Sequence, residues 1–199
     1  APHSEPNGDF PNVPNHVSNP ENPAVFASMI ERAQQSRAEV VLATDPDCDR
    51  LGVAAPLTLS PGSDWKTLTG NQIGALLTDF VLQTTPVPQR TSKHFLVKTL
   101  VTTEMIRRIG DSYGVLTYGN LLVGFKWIGG VIDDVDPDKF LLGCEESHGY
   151  LAGQYARDKD GALAAMLLSE LAARTKSEGR SLHQQLDLLY LKYGYHAEL

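Results

Sequence analysis

Asp45, Asp47 and Asp49 stand on alternate positions in the run VVLATDPDCDRLGVA (40–54), and Arg50 follows them directly. In an extended loop alternate side chains share one side, so the three carboxylates can converge. Left unpaired, they would repel and raise one another's pKa. A divalent cation removes that conflict, and an all-oxygen donor set favours Mg2+, Mn2+ or Ca2+ over zinc. Three carboxylates on one such ion leave about one excess negative charge, which Arg50 can offset while also reaching a phosphate oxygen.

Spacing alone does not single this run out, because DVDPDK places Asp134, Asp136 and Asp138 in the same register. A solvated acidic turn is the ordinary reading of either triplet. Context separates them. The first follows an apolar strand, where α/β folds place ligands, whereas the second precedes a strand and is followed by Lys139. Metal is therefore expected at the first and solvent at the second. Neither run makes an EF-hand loop. Begun at Asp134, Glu145 falls at the twelfth position, but Lys139 occupies the sixth, which needs Gly, and Leu142 the ninth. Begun at Asp45, the sixth and twelfth positions are Arg50 and Pro56. A haloacid-dehalogenase-type phosphatase would use Asp45 as nucleophile and VIDD (131–134) as a later acidic pair. Its Asp-x-Asp-x-Thr/Val motif, however, has Asp49 where Thr or Val belongs.

A second cluster lies in LLGCEESHGY (141–150), where an apolar run ends in Glu145, Glu146 and Ser147 between Gly143 and Gly149. Carboxylates and a hydroxyl on a glycine-flanked loop suit vicinal sugar hydroxyls, although alone they more often make a plain polar turn. ARDKDGALAA (156–165) puts Arg157 and Lys159 at a helix start, where the dipole also favours an anion; the commoner case is a surface charge cluster. GFKWIGG (124–130) sets Lys126 between aromatics and glycines, by itself a packing group.

These segments need strands and helices to hold them. The first 23 residues carry half of the twelve prolines and read as an extended connection. Asn22-Pro23 suit N-cap and first helical position, with Phe26, Met29, Ile30 and Ala33 at helical spacing through Arg37. Strands are expected over 39–44 and 50–57, and a linker over 60–65. A helix over 69–83, a strand over 94–101 and a helix over 103–113 closed by Gly114 come next. Strands follow at 115–118 and 139–146, then a helix over 160–177 with Leu163, Leu167 and Leu171 on one face. SLHQ (181–184) is a capping box for a last helix stopping at Gly194. This alternation predicts an α/β fold with mostly parallel, mixed sheets and helices on both faces.

The chain has 199 residues, 42% hydrophobic and 21% charged, and a formal charge of −7. That balance, without a local Lys/Arg cluster, argues against nucleic acid as a partner. No apolar run nears the roughly 18 residues of a membrane span, and no signal pattern opens the chain. The two cysteines, Cys48 and Cys144, read as fillers of tight loops in a reducing cytoplasm.

In this order the segments closely resemble the α-D-phosphohexomutase family of phosphoglucomutases and phosphomannomutases. DPDCDR is similar to its metal loop, Asp-x-Asp-x-Asp-Arg, and GCEESHGY to its sugar-recognition loop, Gly-x-Glu-Glu-Ser. TTEMIRRIGDSYGVLTYGNLLVGFKWIGG and YARDKDG resemble connecting stretches of the phosphoglucomutase branch. The resemblance implies the middle of a four-domain enzyme: residues 1–60 ending domain 2, residues 65–185 forming domain 3, and 186–199 leading toward domain 4. It implies Mg2+ on Asp45, Asp47 and Asp49, a hexose phosphate substrate and a hexose 1,6-bisphosphate intermediate. Arg50 would contact a phosphate oxygen, and Lys159 a phosphate or a transferred proton. Glu145 and Ser147 would grip sugar hydroxyls, with Arg157 and Lys126 further binding candidates. No Ser-His-Asn-Pro loop for the phosphoserine and no Arg-x-Ser-Gly-Thr phosphate loop occur here, so domains 1 and 4 of the same polypeptide are the implied partners. The chain alone is expected to be inactive, and Ser147 is not its nucleophile. A non-catalytic sugar-phosphate and metal-binding module is the alternative from another class.

Overall fold

The computed structural model describes residues 5–197. The first four residues of the proline-rich opening and the last two of the 186–199 stretch lie outside the described residues. Residues 5–22 hold one short 3-10 turn, Pro14–His16, and no strand, as their prolines require. Asn22 then accepts the Ala24 N–H at 3.0 Å, and a 3-10 turn from Pro23 runs into helix α1 (Ala27–Ser36).

Strands β1 (Val41–Thr44), β2 (Leu51–Pro56) and β3 (Trp65–Leu68) form an antiparallel sheet in that order. This part departs from the mostly parallel expectation because the 45–50 connection is too short for a parallel crossover, which needs about a dozen residues. The stretch 60–65, expected as a linker, is the end of a hairpin turn: Gly62 lies at φ +76 and Trp65 pairs with Pro56. On one face Phe26, Met29 and Ile30 meet Val41, Ala54 and Trp65. On the other, Leu51, Val53, Ala55 and Leu68 enter the main core.

Helix α2 (Gly70–Thr84) starts on a Thr69/Gln72 capping box and leads to the second sheet. Its strands are β4 (Phe95–Thr99), β5 (Leu116–Leu121), β6 (Phe140–Cys144) and β7 (Tyr150–Ala152), in the order β5-β4-β6-β7. The first three are parallel, with crossovers through α3 (Met105–Ser112) and α4 (Phe125–Val135), and β7 returns antiparallel. Phe95 and Val97 face α4, while Leu96 and Leu142 face α2, α3, α5 (Gly161–Ser177) and α6 (Leu182–Tyr193). Helices on both faces of a mostly parallel sheet make this an α/β fold, as expected. Gly114 follows α3 at φ +71, the left-handed closure that the sequence predicts.

Three local readings change. GFKWIGG is not only a packing group but the first turns of α4, with Phe125, Ile128 and Ile132 buried at helical spacing. Its glycines hide that period; a Cβ on Gly129 would come within 2.8 Å of the Arg157 carbonyl. Helix α5 buries Ala164, Leu168, Leu171 and Thr175, so its inner face is rotated from the Leu163/Leu167/Leu171 stripe. Cys144 is a buried strand residue and not a loop filler, its thiol pushed up to about 12 by burial; Cys48 is exposed, and both are free. Helix α6 begins on the expected Ser181/Gln184 capping box and packs Leu186, Leu189 and Tyr193 into the main core. Among the described residues no helix is long and apolar enough to cross a membrane.

Candidate functional site

Loop 45–50, turn 145–149 and the start of α5 meet where the two sheets join. Arg50 bridges Gly149, the Leu51 N–H donates to the His148 carbonyl at 3.0 Å, and His148 Nδ1 lies 3.0 Å from the Leu51 carbonyl. The Gly161 N–H donates to the Cys48 carbonyl at 2.9 Å, which seats α5 against the loop. Glycine is required there, since a Cβ would fall 2.8 Å from the Cys48 and Arg50 carbonyls.

Asp45 is turned inward, its side chain 1% exposed. Its Oδ1 accepts the N–H groups of Asp49 (3.1 Å) and Arg50 (3.0 Å), and its Oδ2 accepts Arg50 Nε–H at 2.6 Å. Burial alone would raise this carboxyl, but the Arg50 bonds outweigh it and hold the group below its ordinary range. Asp49 goes the other way: burial, with Asp45 nearby, raises it against the pull of Lys159. Asp47 is exposed. One oxygen from each of the three lies within 4.8 Å of the others, the one such group among the described residues. Three carboxylates gathered this closely could hold a hard divalent ion, for which an all-oxygen donor set is suited.

Lys159 joins the two loops. Its Nζ lies 2.9 Å from both Asp49 Oδ2 and Asp158 Oδ1, and its stem crosses Gly149, where a Cβ would be 2.3 Å from Lys159 Cδ. Burial would lower its pKa, but the two carboxylates prevail and raise it. Glu145 is buried beside that stem and accepts the Gly124 N–H at 2.9 Å; burial raises its carboxyl despite this bond. Ser147 is half-buried in the turn between Glu146 and His148.

The structure thus brings Asp45, Asp47, Asp49, Arg50, Glu145 and Lys159 together, with Ser147 on the same turn. Arg157 points elsewhere, donating to Asp133 on α4 at 2.6 Å and to the carbonyls of Gln154 and Ala156. Lys126, in the first turn of α4, is exposed with its Nζ 5.2 Å from the Trp127 ring centre. The VIDD pair lies on that helix, Asp133 and Asp134 both exposed, and so provides no later acidic pair for a phosphatase. Sequence reasoning missed Glu21, which reaches Arg50 NH1 at 2.8 Å from the proline-rich lead, where nothing local marks it. It also missed Gly124 and Asp158. His148 was missed too, although a histidine inside a glycine-flanked loop at a strand end was a signal for it.

Two family profiles match the chain: phosphoglucomutase/phosphomannomutase, alpha/beta/alpha domain II, over residues 2–57, and domain III over residues 69–193. A phosphoglucomutase of Staphylococcus saprophyticus is 35% identical over 195 residues, covering 96% of this chain and 34% of that protein. A phosphopentomutase of Mus musculus is 32% identical over 199 residues, covering 96% and 31%. The chain spans about a third of the length of the curated relatives it matches. A phosphoglucomutase/phosphomannomutase family protein from Burkholderia thailandensis shares the fold, with a TM-score of 0.67 at 20% identity over 88% of this chain and 34% of that one. The acidic loop, the Glu-Glu-Ser turn and the domain matches agree, and the chain belongs to the phosphoglucomutase/phosphomannomutase family.

Proposed function

We propose that this chain is the metal- and sugar-recognising portion of a mutase that interconverts hexose 1-phosphate and 6-phosphate through a phosphoserine and a bisphosphorylated sugar. The observation that carries this reading is Lys159, whose one side chain touches the acidic loop at Asp49 and crosses the sugar turn at Gly149. In this reading residues 1–60 close a second domain, 65–185 form a third and 186–199 lead to a fourth, and the enzyme works in the cytoplasm.

Asp45, Asp47 and Asp49 would hold Mg2+, which when bound offsets charge on a phosphoryl group. Arg50, tied to Asp45 through Nε and to Glu21 through NH1, would present its guanidinium to a phosphate oxygen. Lys159 stays an ammonium because its pKa is raised, which suits a phosphate contact and not proton acceptance. Glu145 and Ser147 would bind sugar hydroxyls, with Lys126 a further substrate contact and Arg157 one only on leaving Asp133. The phosphorylated serine belongs to a part of the polypeptide outside these residues, so the chain alone does not turn over.

The test is calorimetry of the purified chain with glucose 1,6-bisphosphate, beside a coupled assay for glucose 6-phosphate. Expected are binding that falls about tenfold, or ~1.4 kcal/mol, in Glu145→Gln, a further loss on chelating the metal, and no turnover. A folded chain that binds no hexose phosphate, or one that isomerises it unaided, overturns the proposal. A parent reading frame with no phosphoserine loop would favour the non-catalytic module.

A further inference from the structure

Lys98 is wholly buried at the carboxyl end of β4. Its Nζ donates to the carbonyls of Thr99 (3.2 Å) and Thr102 (2.8 Å) and pairs with Glu104 Oε1 at 2.7 Å. All three ammonium protons therefore have acceptors, the condition under which a buried lysine is tolerated. Glu104 is half exposed and also binds Arg107, so the pair is anchored from outside as well.

The backbone that Lys98 fixes carries two buried hydroxyls. Thr99 and Thr102 Oγ1 donate to Glu146 Oε2 at 3.0 and 3.1 Å and lie 2.7 Å apart. Glu145, the preceding residue, accepts the Gly124 N–H. The Glu146 carbonyl rests on Gly70, where a Cβ would come within 1.9 Å. The turn presenting Ser147 is thus gripped from β4 through Glu146 and from the start of α4 through Glu145. The two adjacent glutamates have different work: Glu146 is spent on protein hydroxyls, whereas Glu145 lies beside the Lys159 stem.

We propose that Lys98, Thr99 and Thr102 are positioning residues for the 145–149 turn: the buried ammonium sets the Thr99–Thr102 bend, whose hydroxyls hold Glu146 and so orient Glu145 and Ser147. This role rests on the sugar-turn reading above for its ligand but not for its geometry, and the test separates the two.

In the 199-residue chain, Thr99→Val with Thr102→Val is expected to speed amide exchange across 145–149 while exchange in α2 keeps its wild-type rate. Both that rise and the loss of glucose 1,6-bisphosphate affinity are expected to be about tenfold. Thr99→Ser with Thr102→Ser, which keeps both hydroxyls, should restore the two readouts. If the valine pair does not fold, Thr102→Val alone is read in the same way. Wild-type exchange at 145–149 in the folded valine variant, an equal rise throughout α2, or a serine pair as defective as the valine pair overturns the role. A wild-type chain that binds no bisphosphate removes the sugar reading alone, and the local exchange difference still decides the positioning role.

Discussion

Asp45, Asp47 and Asp49 share their spacing with Asp134, Asp136 and Asp138, yet the two triplets end in opposite states. The first lies between antiparallel strands, in a loop closed by the Cys48 N–H on the Asp45 carbonyl at 3.0 Å, and its carboxylates converge. In the second, Asp134 sits exposed on the last turn of α4, and Asp136 caps a 3-10 turn by accepting the Asp138 N–H at 3.0 Å. The second triplet is divided between a helix end, an extended cap residue and a 3-10 turn, so the spacing that gathers side chains in the loop does not gather them there. Basic partners follow the same division: Arg50 and Lys159 reach the first triplet, and among the described residues no salt bridge forms to the second. What makes a site is the backbone that carries the pattern.

Replacing Asp45 tests that difference most severely. Asp45→Ala leaves two loop N–H groups and the Arg50 Nε–H without their acceptor, and should cost about 3 kcal/mol in urea unfolding. Asp134→Ala should stay within about 0.5 kcal/mol of wild type. Equal losses would mean the two triplets are energetically alike. The metal arm comes next. Mg2+ or Mn2+ at a hundred times its dissociation constant should add about 2.7 kcal/mol to the stability of the chain. Asp47→Asn with Asp49→Asn should abolish that gain in thermal melts, and asparagine at 134, 136 and 138 together should leave it intact. A gain that survives the first change, or is lost with the second, would move the metal.

Much of this was legible in residue types, and the failures share a cause. Apolar periodicity found α1, α2, α3 and α5, the Ser181 capping box found α6, and Asn22, Gly114 and Gly194 marked further ends. It failed at α4, where Gly129 and Gly130 interrupt the helical period, and at β3, whose four residues are too few to show alternation. Of the site, the carboxylates, Arg50, Glu145 and Lys159 were readable because their chemistry is local. The Asp133 partner of Arg157 was not readable, since only the packing of α4 reveals it. Glu21 and the Lys98–Thr99–Thr102 support were invisible because each acts across distant sequence or from inside a strand.

The loop of the first triplet is also tied to the 145–149 turn through His148 and Leu51, and among the described residues no such link joins the second triplet to that turn. Burial holds the His148 imidazole below the ordinary histidine value of 6.5, against the bond to the Leu51 carbonyl. Between its folded value and 6.5 the unfolded chain takes up a proton that the folded chain does not, so its contribution is full above 6.5 and falls as pH drops. Each such histidine can contribute a slope of at most about 1.4 kcal/mol per pH unit. His94 and His183 are shifted the same way, so the comparison is with His148→Asn, since asparagine tolerates the position's φ of +67. That variant should lose part of the slope between pH 6.5 and 5 in urea titrations. An unchanged slope would remove His148 as a titrating link between the loops.

The smallest effect belongs to the second triplet itself. Asp136 is the one member with a structural task, accepting the Asp138 N–H at the start of a 3-10 turn in front of β6. Losing such a cap on an exposed turn costs about 0.5 kcal/mol, the low end of the N-cap range. Asp136→Ala should show that loss, Asp136→Asn should recover it because the amide oxygen still accepts, and Asp138→Ala should show nothing measurable. Neither change should alter the cation-dependent shift. An Asp136→Ala variant destabilised as much as Asp45→Ala would give the second triplet a weight that its exposed surroundings do not explain. The loss of a cation shift in that variant would instead place metal where the backbone separates its ligands.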